Sequence, residues 1–533
     1  MRRPPWLHRA KSAGLARALC PSTYPCAVRS LQEHLESPSL GVPPSGAATE
    51  GCAGGSCGVI ARFFLVVAED TGVIRECSAR VRGRASAFAT ASALCEQATG
   101  LTVAQAAALG LDTLHESFAA MSEEDRERAL VVEDAFHQAL GTWLVSRAKT
   151  GTPVTWNCKG LDVVVAMSGG VDSAVALHSV MESSRSVAGM TLQLWIDPQA
   201  PDPDSACCAP DSVRRARKTC HAIGVPHFSI DLRHAFLQQV VAPFVGAYAA
   251  GSTPNPCVRC NGSFRLHELQ SLAQSAGATR VATGHYVRQV HRNGQTLLRA
   301  GVDERKDQSY MLAQLDPATI AHYEFPLGEL RKPQVREMAR RLQLEQATVR
   351  ESQEVCFLGG GDYRGFLARS DALGKPGTIV DPQGRVLARH DGIARFTPGQ
   401  RRGLGEVHAT AGGPWYVLDT DPDTGTVTVG SREQLARPSL TIHSVKMWDS
   451  TIERVAVKTR YRTRDGAVYA KLVHLPDQRA LLEFERPVSA IAPGQLACMY
   501  DDDGVVVGSG IIERAPNTGS APEKILATGA VGR

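Results

Sequence analysis

Hydrophobic and polar positions change their period several times along the chain. Ile60–Val67 and Ile74–Val81 are rich in β-branched and aromatic residues and flank Glu69-Asp70-Thr71-Gly72, which predicts a hairpin. From Ser86 to Gln97 and from Glu123 to Ala148 apolar residues recur at helical spacing, and alanine-rich Val103–Leu109 predicts a short helix between them. Residues 32–150 therefore read as a small α+β domain. Lys149-Thr150-Gly151-Thr152-Pro153 reads as a linker.

A different pattern follows. Leu161–Met167 is almost wholly apolar, and Val187–Leu194, His227–Ile230 and Arg280–Thr283 alternate with helical stretches. Such alternation predicts a doubly wound, parallel α/β sheet, here over residues 158–362, with the sheet ending near Gly360. Beyond residue 375 short segments bounded by Gly, Pro and Asp take over. Gly377–Val380, Trp415–Asp419 and Thr426–Gly430 predict a β-rich domain over 363–436. Ala467–Leu475, Ala480–Phe484 and Val505–Ile511 predict a small barrel over 437–514. Residues 1–31, with six basic residues and no acid, read as a disordered basic arm, and 515–533 as a disordered tail.

Composition narrows the class. A chain of 533 residues exceeds one hydrophobic core, and 43% hydrophobic with 21% charged residues describes a globular protein. No apolar run reaches the roughly 18 residues of a membrane-crossing helix. The net charge of +4 favours an anionic partner only weakly. Fourteen cysteines spread over so long a chain, two of them in a C-x-x-C pair, predict a reducing, cytoplasmic setting rather than a disulfide framework.

The segment Ala166-Met167-Ser168-Gly169-Gly170-Val171-Asp172-Ser173 leads from the buried strand into a helix through small residues. Backbone N–H groups approach an anion closely there, and the helix N-terminus adds a favourable dipole. Without a Gly-Lys-Ser/Thr ending the loop lacks the lysine of Walker-type enzymes. A plain glycine turn is the blander reading. S-G-G-x-D-S resembles the pyrophosphatase-loop (PP-loop) family, which splits ATP into AMP and pyrophosphate to adenylate an oxygen; Asp172 would there help to place Mg2+.

Thr253-Pro254-Asn255-Pro256-Cys257-Val258-Arg259-Cys260-Asn261 predicts a proline-stiffened loop presenting two thiols, with Arg259 near enough to stabilise a thiolate. A third thiol, Cys356, lies in Ser352-Gln353-Glu354-Val355-Cys356-Phe357. With Ala282–Tyr286, Lys306-Asp307-Gln308-Ser309-Tyr310 and Thr397–Gly405, these segments resemble the bacterial tRNA-specific 2-thiouridylase family over residues 160–513. The resemblance implies ATP bound by Ala166–Ser173, Leu192 and Gly284, and adenylation of the 2-carbonyl of the wobble uridine. It further implies persulfide sulfur on Cys356 and a catalytic Cys260 that pairs with it in a disulfide. Lysine, glutamate and glutamine tRNAs would be the acceptors, contacted by Asn255, Pro256, Cys257, His285, Lys306, Asp307, Gln308, Arg460, Tyr461 and Gln495. Two positions depart from the family: Cys257 stands where an aspartate is usual, and Leu192 where a methionine is expected.

Other readings stay open. Cys257 and Cys260 could hold zinc with Cys207, Cys208 or the Cys220-His221 pair, or an iron–sulfur cluster with Cys356. An amidating ligase and a non-catalytic RNA-binding or sulfur scaffold are further alternatives. In Lys458-Thr459-Arg460-Tyr461-Arg462-Thr463-Arg464 a strand would line four cations on one face, suited to phosphates or to a charged sheet edge.

The first domain resembles the iron–sulfur scaffold family related to NifU in His34–Pro38, Gly54–Gly58, Gly83–Ala87 and Val132–Ala135. Only Cys57 keeps a ligand position there; Val59 replaces an aspartate, and Arg84 and Arg128 replace cysteines. One thiol beside two cations cannot assemble a conventional cluster, so the resemblance implies a docking site for a cysteine desulfurase, with Cys57 as a candidate sulfur relay and both arginines favouring its thiolate, or else a structural remnant.

Overall fold

The computed structural model describes the chain from Arg29 to Arg514 apart from residues 45–47, 152–159, 185, 196, 198, 200–208, 349–354, 360, 405–406, 408–413, 462–465 and 490. The basic arm before Arg29, the tail, Thr152 and Pro153 of the linker, Cys207, Cys208, Ser352–Glu354, Gly360, Gly405, Arg462 and Arg464 lie outside the described residues. No helix among those described is long and apolar enough to cross a membrane.

The chain divides into two compact units, Met1–Pro243 with Pro256–Phe366, and Phe244–Asn255 with Leu367–Arg533. The first begins with an antiparallel sheet of Thr49–Gly54, Ile60–Val67 and Ile74–Arg82. The predicted hairpin is there, but Thr49–Gly54 is an addition. Its specification is steric rather than periodic: a Cβ on Gly51 would lie 2.1 Å from the Ala139 backbone nitrogen, so the strand fits only as glycine against the long helix Glu123–Thr150. That helix opens with Ser122 accepting from the Asp125 N–H and carries three acids in its first turn. Gly151 ends it at φ 66°, in the left-handed conformation that glycine adopts without strain.

The parallel sheet of the same unit runs Tyr323–Glu324, Ala278–Ala282, Leu161–Ala166, Val187–Gln193, His227–Asp231. Its first strand in sequence is central, and the chain builds outward from it in both directions. The carboxyl ends of Leu161–Ala166 and Ala278–Ala282 therefore flank the switch point, where open α/β sheets form a crevice. Helices Val171–Ser183 and Lys332–Arg341 pack together through Val171, Val175, Val335 and Ala339. The sheet ends with Tyr323–Glu324 rather than near Gly360, and a hairpin of Val287–Arg292 and Gln295–Ala300 interrupts the alternation.

In the second unit Gly377–Val380, Val386–His390, Tyr416–Asp421 and Thr426–Gly430 form a four-stranded sheet, and six strands from Arg437 to Ile512 close an antiparallel barrel. Phe244–Asn255 is held within this unit: the Thr253 N–H donates to Pro493 O at 2.8 Å, and Gln495 Nε2 to Thr253 O at 2.7 Å. One barrel strand stops at Lys458, so Arg460 and Tyr461 follow it in a bend and do not continue a ladder of strand-borne cations.

Candidate nucleotide and thiol site

Ala166 ends the central strand, and the next four residues turn into helix Val171–Ser183. Gly169 has φ 71°, and a Cβ there would sit 2.1 Å from Ser212 O, so both conformation and space demand glycine. The Ser168 N–H and hydroxyl each approach Ser173 Oγ at 3.2 Å, while Ser173 Oγ donates to Gly170 O at 3.0 Å. Gly170 offers no side-chain cap to this 13-residue helix, leaving its first-turn N–H groups for an anion. Gly284 lies across the crevice, where a Cβ would approach the Asp172 carbonyl carbon to 2.9 Å. Leu192 is buried near the end of the neighbouring strand.

Asp172 does not stand alone. Lys332 Nζ lies 2.7 Å from both its carboxylate oxygens, and Tyr286 donates its hydroxyl to Oδ1 at 2.7 Å. Lys332 is buried at the start of its helix, and its backbone N–H donates to Asp303 Oδ2 at 2.8 Å. Sequence reasoning missed this lysine, which stands 160 residues from Asp172 in what reads as an ordinary basic helix start, Arg331-Lys332-Pro333.

The segment after the switch-point strand carries His285, whose Nδ1 is 2.8 Å from Thr283 Oγ1. Burial, with the Arg265 guanidinium adding to it, pushes the His285 pKa down to about 3 and keeps the imidazole neutral near pH 7. Gln308 is paired to Tyr286 through both its backbone N–H and its side-chain oxygen, at 3.0 and 2.9 Å. Asp307 is buried, and its carboxylate accepts from the N–H groups of Gly301 and Ser309 and from the Ser309 hydroxyl. Its role in the geometry is to hold the turn that presents half-buried Lys306 and Gln308.

Cys257 and Cys260 sit on the first helical turn, Pro256–Cys260, rather than in a loop, because Pro256 occupies a helix start where its missing N–H costs nothing. The helix widens to a π turn at Asn261–Arg265 before Leu266–Ser275, and Asn261 Nδ2 donates to Cys257 O at 3.0 Å. Arg259 is exposed and donates to Gln239 O at 2.6 Å, which turns its guanidinium to the backbone rather than to a thiol. Cys356 begins a short 3-10 turn, Cys356–Leu358. Phe236 connects the two thiol segments, with its ring 5.9 Å from Phe264, one turn after Cys260, and 6.1 Å from Phe357, the neighbour of Cys356. Cys260 is buried and Cys356 half-buried.

Among the described residues no three His, Cys, Asp or Glu side chains group as a metal ligand set. Cys220 packs in the sheet core and His221 lies 3.0 Å from Ala107 O, so neither is turned toward Cys257. In the second unit Arg460 donates to Pro398 O at 3.3 Å and Thr253 to the Thr397 hydroxyl at 3.3 Å, which gathers Arg460, Gln495, Thr253 and the Thr397 turn. Asn255 precedes Pro256 at the point where the chain leaves this unit.

In the N-terminal domain Cys57 is exposed on the turn between the first two strands. Arg128 is spent on Glu124 and, at 3.1 Å, on Asp125, and so is not a free cation for a thiolate. Arg84 is exposed at the N-cap of helix Ala85–Ala98.

Residues 31–150 match the family model described as NifU-like N terminal domain, and 161–360 the one described as tRNA methyl transferase HUP domain. Residues 365–431 match a tRNA methyl transferase PRC-barrel domain, and 437–512 an aminomethyltransferase beta-barrel domain. The tRNA-specific 2-thiouridylase of Magnetococcus marinus is 42% identical over 356 residues, covering 66% of this chain and 98% of that protein. A tRNA-specific 2-thiouridylase of Caldanaerobacter subterraneus is 39% identical over 362 residues, with the same coverage. The bifunctional protein NifU/MnmA of Rubrobacter xylanophilus is 39% identical over 490 residues, covering 90% of this chain and 97% of that protein.

Proposed function

The chain belongs to the tRNA-specific 2-thiouridylase family, in a form fused to a NifU-like domain, and from that premise we propose how its residues divide the work. It is an ATP-dependent sulfurtransferase that makes 2-thiouridine in tRNA. The Ala166–Ser173 cradle and Gly284 hold ATP with its phosphates on the open N–H groups of helix Val171–Ser183, and Leu192 packs against adenine. The reaction adenylates the 2-carbonyl oxygen of the wobble uridine and releases pyrophosphate. The terminal sulfur of a persulfide on Cys356 attacks C2, and the oxygen leaves with AMP. Cys260 thiolate then attacks Cys356 Sγ, breaking the persulfide S–S bond, leaving the sulfur on C2 and forming a disulfide that an external thiol reduces.

What supports this division is the aromatic contact of Phe236 with both thiol segments, within the unit that carries the cradle. Arg265, five residues beyond Cys260, lies close enough to depress His285, the neighbour of Gly284. Neutral His285, with Lys306, Gln308 and the Asn255-Pro256-Cys257 corner, borders the base once it leaves the stack, as chemistry on a base requires. Arg460, Tyr461 and Gln495 contact the tRNA backbone, and Asp307 acts indirectly by fixing the turn that carries Lys306 and Gln308. The residues present do not make a magnesium cage, since the carboxylate of Asp172 is already shared by Lys332 and Tyr286; Mg2+ would arrive on the triphosphate.

The tRNAs for lysine, glutamate and glutamine are the proposed acceptors, and a cysteine desulfurase docked on the NifU-like domain the proposed donor, with Cys57 as relay. The test supplies ATP, Mg2+, a persulfide source and tRNA and reads 2-thiouridine by nucleoside mass spectrometry. Cys356→Ser should abolish the product while ATP-dependent pyrophosphate release continues; thiolation that survives the substitution refutes the assignment.

A further inference from the structure

Helix Pro210–His221 touches the nucleotide cradle at one end and the N-terminal domain along its length. In its first turn the Ser212 carbonyl occupies the space beside Gly169, where even a Cβ would come within 2.1 Å. Loop and helix are therefore in backbone contact, with no flexible side chain between them to absorb a shift. Farther along, Arg217 is 2% exposed, with Nε 2.6 Å from Glu133 and Nη2 2.7 Å from Asp134, both on the long helix of the N-terminal domain. Arg214 reaches the same Asp134 at 2.9 Å and Glu127 at 3.4 Å. Two further ties join the same surfaces: the His227 N–H donates to Ala107 O at 2.9 Å, and a Cβ on Gly141 would meet Ser229 O at 2.0 Å.

Buried ion pairs contribute little net stability, because desolvation offsets most of their attraction, but a planar guanidinium between two carboxylates fixes orientation. An orienting device of this kind, set between the N-terminal domain and a helix that abuts Gly169, is more than adhesion requires. We propose that Arg214 and Arg217 are positioning residues for the nucleotide loop, and that the N-terminal domain, through Glu133 and Asp134, sets how tightly the catalytic domain holds ATP. This rests on reading Ala166–Ser173 as the ATP cradle. The coupling runs from carboxylate to guanidinium, along a single rigid helix to Ser212, and across the backbone contact to Gly169. Relaxing the first link lets the helix move and carries the loop's N–H groups off their preorganised positions, which weakens ground-state binding rather than the chemical step.

The test uses the full chain with Asp134→Asn, which keeps side-chain shape and leaves Glu133 as the counter-ion of Arg217, so the fold survives. The KM for ATP and kcat are read from tRNA-dependent pyrophosphate release, and binding of a non-hydrolysable ATP analogue is measured alongside. Asp134→Asn should raise the KM and weaken analogue binding by about fivefold with kcat unchanged. Arg217→Lys, which keeps the charge and loses the fork, should shift both in the same direction. Glu96→Gln, which removes the 2.8 Å pair with Arg29 elsewhere in the N-terminal domain, should change neither. A wild-type KM in Asp134→Asn, or a fall in kcat at unchanged KM, overturns the coupling. Failure of the unsubstituted chain to bind the analogue overturns the cradle reading itself.

Discussion

Acidification should loosen the packing of the histidines round Arg217. His137 and His227 are buried there and His221 is half-buried, and the rings of His137 and His221 are 5.5 Å apart. Burial first, and the Arg217 charge second, push all three downward; His221 falls from 6.5 to about 4, with the Ala107 carbonyl and Asp112 pulling the other way. Protonation is therefore favoured in the unfolded chain before it is favoured in the folded one. The stability these residues contribute is fully present above pH ~6.5 and is lost as pH falls toward the folded value. For His221 the 1.5 units between about 6.5 and 5, at about 1.36 kcal/mol each, remove about 2 kcal/mol. His137 and His227 act in the same direction, and such losses are a large part of the ~5–15 kcal/mol by which proteins are stable. Urea unfolding at about pH 7.5, 6 and 5 measures the slope. His221→Gln keeps a donor for the Ala107 carbonyl and should reduce that slope by about 1.4 kcal/mol per pH unit below pH 6. An unchanged slope, or an imidazole resonance of His221 that titrates near 6.5, would refute the reasoning.

Three further substitutions probe the site. Gly169→Ala places a methyl against the Ser212 carbonyl at positive φ, so it should cost about 1–3 kcal/mol and abolish detectable ATP binding by calorimetry. Lys332→Met removes the cation from both Asp172 oxygens and leaves a half-exposed carboxylate facing the phosphates; ATP-analogue binding should weaken about tenfold. Phe357→Ala takes a buried ring from between Phe236 and Phe366, at about 3–5 kcal/mol by thermal unfolding. It should slow thiolation while sparing ATP binding, because the Cys356 turn loses its anchor.

What could be read from the sequence was local and periodic. The cradle was legible because strand, small-residue loop and helix are contiguous, and Ile60–Val67 and Gly377–Val380 because their residue types match their pleated faces. Thr49–Gly54 escaped because a glycine pressed on a helix backbone leaves no hydrophobic period. The hairpin at 287–300 did carry a signal, the Asn293-Gly294 turn with φ of 51° and 75°, but its strands are largely polar. Lys332 could not be found from spacing, since its distance to Asp172 is set by the packing of two helices far apart in the chain. Nor does any local pattern assign Phe244–Asn255 to the second unit; hydrogen bonds to Pro493 and Gln495 do so. The cysteine helix was misread as a loop because Pro254 and Pro256 punctuate turns and helix starts alike.

His227–Asp231 is the last strand of the parallel sheet on its side, and an open margin of that kind offers unpaired backbone groups to any passing chain. Here the N-terminal domain lies against it, with the Ala107 carbonyl taking one of its N–H groups and Gly141 meeting Ser229. The fused domain thus covers backbone groups of an edge strand that would otherwise be open to pairing with another chain.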